Sequence, residues 1–357
     1  MDARRMPQIL AHITQGATCT IHDTVWVPCS AKFVLLGSTS RNQGAFQIYE
    51  LENTEIKKLK DVVKADSFKC GTFGASSVEH RCLATGDYKG KLCTWDLEDL
   101  SLPVFHTKAH ESIINAIDAI GGLGVGNGAP EIVTGGRDGK VLVWDPRQKD
   151  VPAASFEPAS GGARDCWAVG FGNSYNDEER CILAGYDNGD LKLFDLRLNK
   201  IRWETTLPNG VCGVEFDRKD IKANKCVAVT LESKFHVFDL RTQHPDKGFA
   251  MMTETLKHGT TVWGVRHLPQ NREIFMTLGG DGSLSLFKYS YPSQRWVKDG
   301  RDLKCGVAGT VELLSNKSFA TQPISCFNWN KDKEGLAVCG SFDQNFRVMV
   351  VTKLDKF

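Results

Sequence analysis

The chain carries almost no net charge: 44 Lys and Arg stand against 43 Asp and Glu, a formal +1 over 357 residues. The basic excess or clustered basic stripe that marks a nucleic-acid binder is therefore missing. The longest basic cluster, Lys57, Lys58 and Lys60, is short and reads as a solvated loop. No apolar run approaches the roughly 18 residues that a membrane helix needs. Arg4 and Arg5 are not followed by an apolar stretch, so no secretory signal is expected and a cytoplasmic location is. The 12 cysteines include no C-x-x-C pair, and the 9 His residues show no helix-face spacing, so the usual zinc patterns are missing too. Most cysteines lie in apolar runs, such as Cys82-Leu83-Ala84 and Cys226-Val227-Ala228. They read as reduced thiols that pack as small hydrophobes.

Catalytic signatures are equally scarce. The glycine run at residues 121–128 leads to Ala129, Pro130 and a strand, whereas a dinucleotide loop needs a helix at that point. The segment from Gly86 to Lys91 mimics a P-loop, but it has three residues between its glycines and no Ser or Thr after Lys91. No Ser/His/Asp or Cys/His arrangement stands out. Neither an enzyme nor a bound cofactor or metal is expected.

What the sequence does have is a repeat. Residues 131–147 read as strand, Asp-Gly turn, strand, with β-rich Ile132, Val133 and Thr134 before Asp138-Gly139 and Val141 to Trp144 after it. The unit recurs around residues 82–96, 181–197, 226–241, 274–288 and 336–351, with a weak first copy at 32–50. The residues ending the third strand form a ruler: Tyr49, Trp95, Trp144, Phe194, Phe238, Phe287 and Met349. Their spacings are 46, 49, 50, 44, 49 and 62, the period of a four-stranded propeller blade. The long last step implies an insertion at about residues 291–320. Residues 7–16 have strand character and are placed as the outer strand of the last blade, covering an otherwise open edge. The expectation is one all-β domain over residues 1–357, a seven-bladed β-propeller closed by its N-terminal strand.

These units resemble WD repeats. In that family a blade can hold a buried tetrad: a His before the first strand, a Ser or Thr on the second, an Asp in the turn and a Trp on the third. His110, Thr134, Asp138 and Trp144 match fully. His258, Thr277 and Asp281 match in blade six, with Phe287 in place of Trp. Lys89, Asn188 and Glu232 replace the turn Asp in blades two, four and five. A buried His or Asp is costly unless paired, so the tetrads are read as structural.

Two features suit protein binding. Trp167 and Trp263 occupy matching positions on the first strands of blades four and six, at a mouth of the central channel; Arg137, next to the turn Asp of blade three, is placed at the same mouth. Trp144, Asp145, Pro146 and Arg147 form a W-D-x-R motif, which resembles the motif by which some WD-repeat proteins dock on cullin ubiquitin-ligase adaptors. A local pairing of the Arg with an acidic neighbour competes with that reading.

Longer segments carry a closer resemblance. Among them are Trp26-Val27-Pro28-Cys29, Cys70-Gly71-Thr72-Phe73, Ala184-Gly185-Tyr186-Asp187-Asn188-Gly189, Glu215-Phe216-Asp217-Arg218 and His267-Leu268-Pro269-Gln270. They span the chain, many lie in loops, and they resemble the WD-repeat factors for axonemal dynein assembly. That resemblance implies a cytoplasmic, monomeric adaptor. Its partners would be dynein arm subunits and a prefoldin-like, heat-shock co-chaperone assembly. A cullin-ligase substrate receptor is the alternative.

Overall fold

The computed structural model describes residues 6–122, 129–148, 150–158, 162, 164–256 and 259–357. Each repeat folds as hairpins because its turn residues allow it. Gly90, Gly139, Gly189 and Gly282 stand at the same turn position with φ of 78°, 78°, 93° and 78°, a left-handed geometry in which a side chain would be strained. In blade three the turn sets Ile132 opposite Trp144 and Thr134 opposite Leu142. Small and β-branched residues alternate along these strands, so each sheet can bury both faces.

Seven four-stranded antiparallel sheets result. Their innermost strands are Thr20–Trp26, Phe68–Thr72, Ile114–Ile120, Cys166–Gly172, Val211–Phe216, Val262–Leu268 and Ile324–Trp329. Each packs against the innermost strands of both neighbours, so the ring closes around a channel. The seven ruler residues all lie on third strands and are all buried. Gln8–Gly16 pairs antiparallel with Asn345–Thr352 and forms the outer strand of blade seven. Blade seven therefore joins the first strand of the chain to the last three.

The core lies between blades. Val34 and Phe46 of blade one pack with Leu83 and Trp95 of blade two, and Met276 and Leu286 of blade six with Phe327 and Met349 of blade seven. All 12 cysteines are free thiols, and 8 of them are buried. Burial pushes several of them up, Cys19 to about 11 and Cys93 to about 12. The buried thiols are inert packing groups under physiological conditions.

Of residues 291–320, Thr310–Ser318 is the outer strand of blade six, so the added segment is only 291–309. This segment folds back on blade five. It forms a small hairpin, Trp296–Lys298 with Lys304–Gly306, beside Lys234–His244. Arg295 forks onto buried Asp239 at 2.6–3.0 Å, and His244 meets Asp299 at 3.0 Å. Tyr291 reaches fully buried Lys225, whose ammonium also pairs with Glu273 at 3.0 Å and Asp217 at 3.6 Å. Among the described residues no helix is long and apolar enough to cross a membrane.

Candidate protein-binding site

One irregularity recurs seven times. Every innermost strand carries a β-bulge near its start, where its register with the second strand slips by one. The extra residues are His22, Lys69, Asn115, Trp167, Cys212, Trp263 and Ser325. A bulge frees a residue from the ladder and re-aims its side chain. All seven line one cavity of about 390 Å³ at one mouth of the channel.

This ring is two-sided. Trp167, Cys212 and Trp263 form an apolar arc over blades four to six. Ser325, His22, Lys69 and Asn115 form a polar arc over blades seven, one, two and three. Trp263 is 40% exposed and stands edge-on to Phe342 of blade seven, itself 37% exposed, with ring centroids 6.1 Å apart. Leu231 of blade five, 38% exposed, extends the apolar arc. Trp167 is half-buried and lies over Gly210, where an added Cβ would come within 2.8 Å of the indole. Large apolar side chains left open to water at one mouth are the usual mark of an interaction surface.

The polar arc is mostly occupied with its own structure. Asn115 donates to the Cys166 carbonyl at 3.1 Å, and Ser325 to the Ile21 carbonyl at 3.0 Å. His22 meets the Ser38 hydroxyl at 2.9 Å. Burial, helped by the charge of Lys69, pushes His22 down to about 4, so its ring is neutral at physiological pH. Lys69 is half-buried, and no hydrogen bond or ion pair engages it among the described residues.

Arg137 is not among the residues that line this cavity. It holds in blade three the position that Leu231 and Phe342 hold in blades five and seven: its backbone N–H donates to the Ile113 carbonyl, as theirs do to Gly210 and Pro323, and its side chain is 3.7 Å from Asp165. Trp167 and Trp263 line one cavity, and Arg137 is not among the residues lining it.

The blade-three tetrad is connected throughout. His110 Nδ1 is 2.9 Å from Asp138 and Nε2 is 2.8 Å from the Thr134 hydroxyl, to which Trp144 Nε1 donates at 3.1 Å. A Cβ on Gly136 would come within 2.2 Å of the imidazole, so that glycine makes room for it. In blade six Thr277 donates to the Ser285 carbonyl at 3.4 Å, and Asp281 accepts from the Ser283 hydroxyl at 2.6 Å. Phe287 packs on Phe275 there, and His258 lies outside the described residues. Two substitute devices escaped the sequence reading. In blade two Asp87 replaces Gly136 and accepts the backbone N–H groups of Lys89 and Lys91, both at 2.8 Å, while Trp95 still donates to Thr85 at 2.9 Å. In blade seven buried Arg347 donates to Ser341 at 2.7 Å and to Asp343 at 3.0 Å.

Channel-facing acceptors also tie blades together. Asp23 accepts from the Gly71 N–H at 2.8 Å, Asp118 from Phe171 at 2.8 Å, and Asn328 from Trp26 at 3.0 Å; Glu215 takes the N–H of His267. The carboxylates of Asp23, Asp118 and Glu215 could have suggested chemistry, but each is bound to backbone. In the W-D-x-R motif, Arg147 forks onto Asp145 at 2.8–3.2 Å. Among the described residues no group of three His, Cys, Asp or Glu is placed to hold a metal ion.

A closed ring of seven four-stranded blades, one with a complete His–Thr–Asp–Trp tetrad, is a WD-repeat propeller, and the model of the WD domain, G-beta repeat family matches residues 102–145. The chain is 59% identical to Dynein axonemal assembly factor 10 of Homo sapiens and 58% identical to that of Chlamydomonas reinhardtii, over 100% of both chains in each case. A protein of the same name from Dictyostelium discoideum is 24% identical over 95% of this chain and 94% of its own. The chain belongs to the dynein axonemal assembly factor 10 family.

Proposed function

We propose that this chain is a non-enzymatic scaffold for the cytoplasmic pre-assembly of axonemal dynein arms, acting with a prefoldin-like, heat-shock co-chaperone assembly. Its partners dock at the channel mouth built by the seven bulges. One observation carries this reading: Trp167 and Trp263, from blades that are not neighbours, open into the same cavity beside exposed Leu231 and Phe342. Binding energy at such surfaces concentrates in a few aromatic anchors, each costing about 2 kcal/mol or more on truncation. The relatives' names supply the process, and the mouth supplies the means. The channel carboxylates Asp23, Asp118 and Glu215 support a scaffold, because each holds backbone of the next blade.

The test is affinity purification from cells building cilia, read by mass spectrometry. The Trp167→Ala, Trp263→Ala double variant should lose dynein arm subunits and co-chaperones, while Arg197→Ala and Arg241→Ala keep them. A double variant that melts like the native chain and captures the same set refutes the site. One that melts far lower, with its folded fraction still binding, assigns the tryptophans to the core.

A further inference from the structure

We propose that the occupant of this mouth is a short peptide segment in which an acidic side chain stands next to large apolar residues. The inference rests on the reading of the mouth as the docking site and adds the chemistry of its ligand. It follows from how the two arcs are charged. The apolar arc offers Trp167, Leu231, Trp263 and Phe342 to side chains of leucine or phenylalanine size. The opposite side offers Lys69, and Arg266 lies deeper, where the cavity continues into the channel.

The balance of charge favours an anion. Among the described residues Asp23 is the one carboxylate lining the mouth, while Asp118, Glu215 and Asp332 line the continuation with Lys219 and Lys331. Both Asp23 oxygens already accept backbone N–H groups, from Gly71 and Thr24, at 2.8 Å. Its burial raises its pKa, against the opposing charges of Arg266 and Lys69, which weakens its claim as a counter-ion further. Arg266 spends one hydrogen bond on the Val265 carbonyl at 2.9 Å and has no ion pair among the described residues. His22 adds no charge of its own. A cation held half-buried and unpaired favours a partner carboxylate, because the low-dielectric wall strengthens their attraction. A basic segment would have to bury its charge against Lys69 and Arg266. A wholly apolar one would cover them without pairing them.

The probe is a phage library of random dodecapeptides, selected in parallel on the full-length chain and on the Trp167→Ala, Trp263→Ala variant. Sequences enriched by the native chain alone should carry Asp or Glu within a few residues of Leu, Phe, Trp or Met. A synthetic peptide of that set, compared with its Asn or Gln counterpart by fluorescence anisotropy, should lose about tenfold or more in affinity. Lys69→Glu should reproduce that loss, and Lys69→Arg should retain binding. Should Lys69→Glu fail to fold, the acid-to-amide comparison on the native chain decides alone. Enriched sequences that are neutral or basic, or an amide peptide that binds as well as the acid, overturn the acidic ligand and leave the docking site standing. If nothing is enriched, or both chains enrich the same peptides, the docking site falls and this inference falls with it.

Discussion

Replacing Thr134 by Val removes the centre of the blade-three tetrad without changing its shape. Thr134 is fully buried and touches two partners through one hydroxyl. The proton positions can be worked out. Burial alone would raise the pKa of Asp138, but the hydrogen bond and charge of His110, with the N–H groups of Lys140 and Glu111, hold it below the ordinary carboxylate value. Asp138 is therefore an anion, and the His110 Nδ1–H donates to it. With Nδ1 as the donor, Nε2 is the acceptor, which takes the Thr134 O–H, while the Thr134 oxygen takes the Trp144 N–H. In Thr134→Val both the Trp144 donor and the His110 acceptor lose their partner in a dry site. Each orphaned group costs about 1–3 kcal/mol, or roughly 2–6 kcal/mol together. No cavity forms, so packing adds little. Thr134→Ser keeps the hydroxyl and removes one methyl, at about 0.8 kcal/mol. Urea unfolding of the three chains would order them native, Ser, Val, with an unchanged m-value. A Val variant as stable as the Ser variant would refute the network as a source of stability.

Other outcomes follow from the same contacts. His22 has a folded-state pKa of about 4, below its ordinary 6.5. The unfolded chain therefore binds the proton more readily: this stability is complete above pH 6.5 and is lost as pH falls toward 4, so unfolding midpoints should drop over that window and drop less in His22→Gln. Deleting residues 1–16 bares the edge of Asn345–Thr352, and the product should aggregate or melt far lower; a soluble product with an unchanged melting curve would mean that the clasp contributes nothing. Lys225→Met leaves Glu273 facing an apolar neighbour and weakens the hold on Asp217, and should cost about 3–5 kcal/mol by chemical denaturation. Arg147→Ala should leave capture of assembly partners unchanged, because its fork is spent on Asp145; loss of a cullin-adaptor interaction in that variant would speak for the ligase alternative.

The blade count was legible because it rests on period. Seven buried third-strand residues recur every blade, and turn glycines with positive φ mark the hairpins between strands. Period alone could not separate an outer strand from an insertion. Thr310–Ser318 is a blade strand, yet its sequence, Thr-Val-Glu-Leu-Leu-Ser-Asn-Lys-Ser, carries one buried position, Leu314, and no motif residue. Outer strands face water on most sides, so their hydrophobic signal is weak. The tetrads were legible only where the family's residue types persist. Arg347 and Asp87 do equivalent work with different donors and acceptors, and the geometry that lets them do so depends on neighbours one strand away.

The mouth shows the same limit more sharply. Trp167 and Trp263 attract notice because two tryptophans share a frame; the residues sharing that frame in the other blades are His22, Lys69, Asn115, Cys212 and Ser325, which have nothing in common by type. Their kinship is positional. Each precedes, by one residue, the point where the first strand resumes its register, so each is released from the pairing that selects Val, Ile and Ala at its neighbours. Packing holds the repeat alike from blade to blade at positions such as Ile114, Val211, Val262 and Ile324, all fully buried directly before the bulge. The next position is under no such demand. In a ring of near-identical blades, this is where different side chains can be set side by side without disturbing the core. A ring of seven bulge residues, apolar on one side and polar with a single lysine on the other, gives a repetitive fold an asymmetric surface at one mouth.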